Sequence, residues 1–253
     1  MKKKRFAITT LVILLPLLAF EASARLGWID SFTFIPLTEM IASAARLITD
    51  PVFIQAHFLV TVVNILIAFA ASAVVGIAFG ILLWRFEQLY FSLQPYIMLS
   101  YAVPMFAIYP VFILLFGMGR PSILVLGFLL AAPTVVINTA IGFRETKKVF
   151  QKVGRTFQLN FRQMLFSIYF PAAWPQIFTG LKLGFIYSML GVISPEFILS
   201  PNGIGYSIKR AFNDFDLHTM YGGIVLVVVF ALLTNLLLKA VENRLYKKEI
   251  KGT

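Results

Sequence analysis

Apolar residues fall in long blocks along this chain, and polar residues are confined to the gaps between them. A membrane-crossing helix needs about 20 predominantly apolar residues. Runs of that kind occupy 6–22, 59–84, 95–117, 122–143, 176–195 and 219–241. The pattern predicts an all-α membrane protein with six transmembrane helices. The second run is rich in small residues, including Ala68, Ala71, Ser72, Gly76 and Gly80. Small residues let helix backbones approach closely, so this span is expected inside the bundle. The third run carries Pro104 and Pro110 and is expected to bend there. Residues 1–58 read as an N-terminal helix with a polar segment after it, 59–245 as the core, and 246–253 as a polar tail.

One polar gap has a pattern of its own. In 144–175 the apolar positions Val149, Val153, Phe157, Phe161, Met164, Leu165 and Ile168 recur at helical spacing. Lys148, Gln151, Lys152, Arg155, Gln158, Arg162 and Gln163 take the opposite face. Leu159 breaks the pattern, and Asn160 with Gln163 three residues on has the form of a capping box. Two short amphipathic helices joined near Gln158–Asn160 are predicted. Composition alone is equally compatible with a basic helix lying on the membrane surface. Pro171 disfavours helix at Phe170, and Pro175 suits the first turn of a new helix. The two prolines are expected to hold the loop apart from the fifth span and set its angle.

Composition narrows the class. Of 253 residues 59% are hydrophobic and 13% are charged, against about 25% charged in an ordinary soluble domain. The absence of cysteine excludes disulfides, thiol nucleophiles and Cys-ligated zinc. The net charge of +11 follows topology. With the N-terminus inside, fifteen Lys and Arg fall in inner segments, against five in outer ones: Arg25, Arg46, Arg120, Lys209 and Arg210. Positive charge collects on the cytoplasmic side, so both termini are expected there, and no nucleic-acid partner is needed. The basic start, first apolar run and Ala22-Ser23-Ala24 also fit a cleavable signal peptide; a retained helix is the preferred reading, and cleavage leaves the remaining orientation unchanged.

No catalytic constellation is legible. His57 and His218 lie near outer ends of spans, and there is no phosphate-binding Gly-rich loop, no His-x-x-x-His and no inward carboxylate pair. No cofactor or metal is expected, and ATP is not expected to bind this chain. Asn64, Asn138 and Asn235 lie within spans, where helix–helix hydrogen bonding is the first reading. Ser100, Tyr101, Met105, Tyr109 and Asn138 are candidates for a solute path. Glu196 is expected to clasp Lys209 or Arg210, or to contact an outer partner. No Arg or Lys lies deep in a span to meet an anion.

Several stretches together resemble permease subunits of binding-protein-dependent ABC importers, in the nitrate, sulfonate and taurine branch. QKVGRTFQLNFRQMLFSIYFPAAWPQIFTGLKLG resembles that family's cytoplasmic signature, with Pro171, Pro175, Gly180, Leu181 and Lys182 matching its end and Val153, Arg155, Thr156 and Phe157 similar to its start. VPMFAIYPVFILLFGMG, AAPTVVINTAIGFRET and SPEFILSPNGIGYSIKRA are similar to its other landmarks. Lys152 stands where the family usually has Glu, and Gln158 where it usually has Gly. The resemblance implies a coupling loop containing Lys152, Val153, Gly154, Arg155, Thr156, Phe157, Gln158 and Asn160, closed by Pro171 and Pro175. It further implies two cytoplasmic ATPase subunits, a second permease copy or paralogue, an extracytoplasmic solute-binding protein and a bacterial inner-membrane location. The solute would be a small anion or a vitamin precursor. Because Gln adopts positive φ less readily than Gly, the loop is expected to turn at Asn160 or to meet a compensating acidic groove. The competing reading is an independent channel or secondary transporter, which usually shows internal repeats or intramembrane charges.

Overall fold

The computed structural model describes residues 2–30 and 32–251. Met1, Ser31 and the last two residues of the expected tail, Gly252 and Thr253, lie outside the described residues. All regular structure among the described residues is helical. Helix α1 is Lys2–Arg25, α2 is Leu37–Thr49, and α3 is Pro51–Arg85 with a π turn at Ile54–Phe58. Then come α4 (Glu87–Ser100), α5 (Tyr109–Phe116), α6 (Arg120–Arg144), α7 (Lys148–Thr156), α8 (Phe161–Ile198), α9 (Ile204–Asn213) and α10 (Leu217–Lys251).

Four of these, α3, α6, α8 and α10, are long and apolar enough to cross a membrane. The run expected as one third span is two helices bent by 83°. The break sits at Pro104, whose backbone is non-helical (φ −73°, ψ 82°), and a 3₁₀ turn at Met105–Ile108 leads into α5. Pro110 is in the first turn of α5, where its missing N–H costs nothing. Helix α3 starts earlier than the expected residue 59. Asp50 caps it by accepting from the Val52 N–H at 2.9 Å, with Pro51 directly after the cap.

The larger correction concerns Pro171 and Pro175. They do not separate the loop from the span, because helix α8 runs through both. A proline in a regular α-helix clashes with the carbonyl four residues back. For Pro171 that residue is Ser167, within the π turn at Leu165–Tyr169. The wider turn accommodates the ring, so the helix continues.

Helix α6 is the centre: 61% of its apolar window is buried, against 6% for α10. Close contacts fix its register with its neighbours. Gly127 meets Ala68, Gly76 meets Val135, and Gly80 meets Thr139, so α3 and α6 advance in parallel. Gly191 meets Gly127, Gly184 meets Val135, and Gly180 meets Asn138, so α8 runs antiparallel to both. Lipid tails are as apolar as leucine, and membrane helices therefore associate through such close packing rather than through a hydrophobic drive. Helix α2 lies against α10, with Gly222 on the Ser43 and Ala44 backbone. It is tied to α1 through Arg25, whose Nε lies 2.6 Å from Glu21 Oε1 and whose Nη2 donates to Thr38 Oγ1 at 2.9 Å.

Candidate functional site

At one end of the bundle, α7 and the first turns of α8 form a plate. The expected capping box is present: Asn160 Oδ1 accepts from the Gln163 N–H, and Gln163 Oε1 from the Asn160 N–H, each at 2.9 Å. The turn before it is made by Gln158, which takes φ 52°. There the Leu159 N–H donates to Gly154 O and the Gln158 N–H to Arg155 O, both at 3.0 Å. These two bonds are those of a Schellman motif, whose left-handed residue is usually glycine. The turn has therefore not moved to Asn160. Gln158→Gly is expected to stabilise the plate by about 0.5–1 kcal/mol, since a non-glycine residue in that conformation costs roughly 1–2 kcal/mol and glycine returns part of this as chain entropy. Slower amide exchange across α7 checks it.

Gly154 faces inward against Met164 and Ile168. The apolar stripe therefore turns outward, and Val149, Phe150, Val153, Phe157 and Phe161 are all exposed, Phe157 by 73%. Lys152, Arg155, Thr156 and Asn160 are exposed among them. The base of the plate is fixed. The Trp84 ring packs at a tilt against Tyr169 (4.6 Å between centroids) and Phe143 (5.0 Å), and the Arg85 guanidinium lies 5.6 Å from the Phe161 ring. Arg144 sits over Tyr90 at 4.2 Å and pairs with Glu87 at 3.2 Å. Pro171 and Pro175 belong to the stem of this plate.

Midway along the bundle a polar string crosses three elements. Tyr101 OH is 2.9 Å from Thr134 Oγ1, Asn138 Nδ2 donates to Thr134 O at 2.8 Å, and Gln176 Nε2 donates to Asn138 Oδ1 at 2.9 Å. Of the path candidates, Tyr101 and Asn138 belong to this string. Ser100 is tied to Ile97 O (2.6 Å), while Met105 packs beside the fully buried Tyr109, whose hydroxyl has no partner among the described residues. Thr134 and Gln176 were not singled out by the sequence; Gln176, one residue after Pro175 in an apolar run, was the available signal.

The opposite end is built around Glu196, which is 0% exposed. It does not pair with Lys209 or Arg210. Lys209 donates to Ile198 O, and Arg210 lies 3.6 Å from Asp214. Glu196 Oε2 accepts from Thr61 Oγ1 at 2.6 Å and from the Gly205 N–H at 3.4 Å, and Oε1 accepts from Asn64 Nδ2 at 3.4 Å. Thr61 Oγ1 also accepts from the Ile204 N–H at 2.8 Å. Gly203 (φ 103°) and Gly205 lie directly against the Glu196 side chain, where a Cβ would collide. Together they hold the start of α9 to α3. Thr61 is the residue sequence reasoning missed; it shares a helical face with Asn64 three residues on, the only signal available. Asn235 lies exposed on α10, beside an apolar crevice of about 420 Å³ between α8 and α10. Among the described residues no cluster of His, Asp or Glu could hold a metal ion.

Four helices long and apolar enough to cross a membrane thus carry the plate at one end and the buried Glu196 knot at the other. The family described as binding-protein-dependent transport system inner membrane component matches residues 72–247, and the chain belongs to that family. It is an ABC transporter permease. It is similar to the nitrate import permease protein NrtB of Synechocystis sp., 32% identical over 175 residues, 69% of this chain and 62% of that one. It is 25% identical over 234 residues to the formylaminopyrimidine transport permease protein ThiX of Halalkalibacterium halodurans, 92% of each chain. The taurine transport system permease protein TauC of Escherichia coli is 26% identical over 244 residues, 94% of this chain and 88% of that one. In fold the chain resembles a subunit of the MetNI methionine ABC transporter in an inward-facing conformation, with TM-score 0.67, 14% identity, and coverage of 78% of this chain and 99% of that one.

Proposed function

We propose that the chain is the non-catalytic membrane subunit of an ATP-driven importer, moving a small anion or vitamin precursor delivered by an extracytoplasmic binding protein. It sits in the bacterial inner membrane with both termini inside. Its six crossings are α1, α3, the bent α4–α5 pair, α6, α8 and α10. Residues 59–245 are the translocating core, and 1–58 are an N-terminal addition.

The observation that carries this reading is the plate. Exposed apolar side chains on a rigid base are what a docked partner covers. Basic residues interleaved with them point to an acidic partner surface. An ATPase subunit seated there, one of two in the complex, would tilt α8 directly, because the plate and the span share one helix. Rigid-body tilting at an interface is a recurrent switching mode. A second copy or a paralogue completes the complex, and the exposed Asn235 amide, which has no hydrogen-bond partner among the described residues, supports this, since an unpartnered amide in hydrocarbon is costly. Tyr101, Thr134, Asn138 and Gln176 would border the solute path.

Proteoliposomes holding the full complex test the function: uptake should stop when the ATPase is omitted, and uptake by the permease alone would contradict it. Lys152→Glu should weaken co-purification with the ATPase by roughly tenfold, as expected for a charge reversed against an acidic groove. Unchanged or tighter binding would remove the acidic-groove idea.

A further inference from the structure

We propose that the crevice between α8 and α10 is a slot for one acyl chain of an anionic phospholipid of the inner leaflet, whose head group is held by Lys239. The site rests on the orientation proposed above, which puts the C-terminal end of α10 inside the cell.

The slot follows from the way α8 and α10 meet. Toward their inner ends the two helices are tied by an ion pair, Lys182 Nζ to Glu242 Oε2 at 2.9 Å. Outward of that tie they leave the apolar crevice of about 420 Å³. Phe185, Met189 and Ile193 line it from α8, and Val228, Ala231 and Leu238 from α10. An empty gap between two apolar walls forfeits dispersion contacts on both, and in a bilayer the group at hand to fill it is a hydrocarbon chain. The depth agrees. From Val227 to Leu238, the limits of the lining on α10, the helix rises about 16 Å. That is one leaflet of a hydrocarbon core about 30 Å thick.

The inner mouth sets the head group. Val228, Leu232, Asn235 and Lys239 are exposed and follow one another at helical spacing along one stripe of α10. The first three line the slot, so Lys239 stands at its mouth. It has no carboxylate partner among the described residues. Glu242 also faces the mouth, but Lys182 neutralises it. Lys182 and Lys239 against Glu242 leave one net positive charge, which favours an anionic head group over a zwitterionic one. Basic sites between spans on the cytoplasmic side are a recurrent form of lipid recognition. Asn235 lies about 6 Å deeper than Lys239. A glycerophospholipid held by its phosphate carries its ester carbonyls at about that depth, and one amide N–H meets such an acceptor. The rest of the amide stays available to the second copy proposed above.

The test is native mass spectrometry of the purified full chain, titrated with phosphatidylglycerol or with phosphatidylethanolamine of the same acyl chains. Phosphatidylglycerol should bind at least about fivefold more tightly. Lys239→Gln should weaken it by roughly tenfold, while Lys239→Arg keeps most of the binding. Arg244→Gln is the control, because Arg244 falls on a different face of α10 and should not matter. Lys239 and Arg244 are both exposed, so these changes do not threaten folding. Ala231→Phe puts a ring into the slot and should abolish binding. Equal affinity for the two lipids, or equal losses at Lys239 and Arg244, would overturn the proposal, since loose attraction to a basic helix end gives either result. Binding untouched by Ala231→Phe would overturn it as well.

A second copy is the other occupant such a slot could have. The chain has no cysteine, so Ala231→Cys supplies a single thiol inside the slot. In phosphatidylglycerol liposomes, oxidation should give no disulfide between copies; efficient crosslinking would assign the slot to the second copy and overturn the lipid site. ATP-dependent uptake by the assembled complex is scored separately. Intact uptake with no lipid bound at the slot removes the site and leaves the transport reading standing.

Discussion

Replacing Glu196 by leucine is expected to destabilise the protein by about 3 kcal/mol or more. Three donors converge on this carboxyl group: the Thr61 hydroxyl, the Asn64 amide and the Gly205 backbone N–H. Each is withdrawn from water, and an unsatisfied buried donor costs about 1–3 kcal/mol. Leucine has similar bulk, so the loss comes from unpaired donors and not from a cavity. Glu196→Gln keeps the shape and one acceptor oxygen but turns an amide N–H₂ toward a donor, and about 1–2 kcal/mol is expected. The thermal midpoint of the purified chain should fall in the order wild type, Gln, Leu. Amide exchange should rise first over Gly203–Asn213, since the knot is what holds the start of α9 to α3. A leucine variant as stable as wild type would mean that Glu196 is not the fastening.

The second large effect is expected at Gly191. A Cβ there would sit 2.6 Å from Gly127 Cα, 3.1 Å from Gly127 N and 3.1 Å from Leu126 O. All three are backbone atoms, so no side chain can rotate away, and α6 and α8 must separate. Overpacking costs typically 1–3 kcal/mol when side chains can yield, and Gly191→Ala is expected at or above the top of that range, about 3 kcal/mol. Gly184→Ala is the comparison. Its Cβ would meet Val135 Cγ2 at 2.7 Å, a side-chain atom that can give, so a smaller loss is expected. Equal effects at the two positions would contradict a backbone-limited seam. The consequence extends to function, because α8 is both the seam partner of α6 and the stem of the plate.

How far the sequence spoke depended on the range of each interaction. The Asn160–Gln163 box was legible because both of its bonds are local. The small residues of the second run were legible as a packing signal, but the pairing of Gly191 with Gly127 was not, since it depends on antiparallel register. Pro171 was misread for a physical reason. Its exclusion rule holds for a regular α turn, and nothing local announces the π turn at Leu165–Tyr169 that accommodates it. For Gln158 the alternatives were a turn moved to Asn160 or a compensating acidic groove on the partner; the turn stays at Gln158 in the glycine-like conformation, because the Schellman bonds from Leu159 and Gln158 fix the site more strongly than the residue's preference. Hydropathy found enough apolar residues at 95–117, yet could not say that Pro104 would turn the chain by 83°. Glu196 looked like a partner for Lys209 and Arg210 because they are near in sequence. The fold instead supplies Thr61, 135 residues away, and saturates the carboxyl with neutral donors.

The grip of an ATPase on the α7–α8 plate inside the cell is open to a direct test. The chain has no cysteine, so Phe157→Cys provides a single thiol at an exposed position of the plate. In intact cells a membrane-impermeant maleimide should leave this thiol unlabelled. After permeabilisation it should react, and added ATPase partner should protect it. Labelling in intact cells, or labelling that the bound ATPase does not change, would contradict the account.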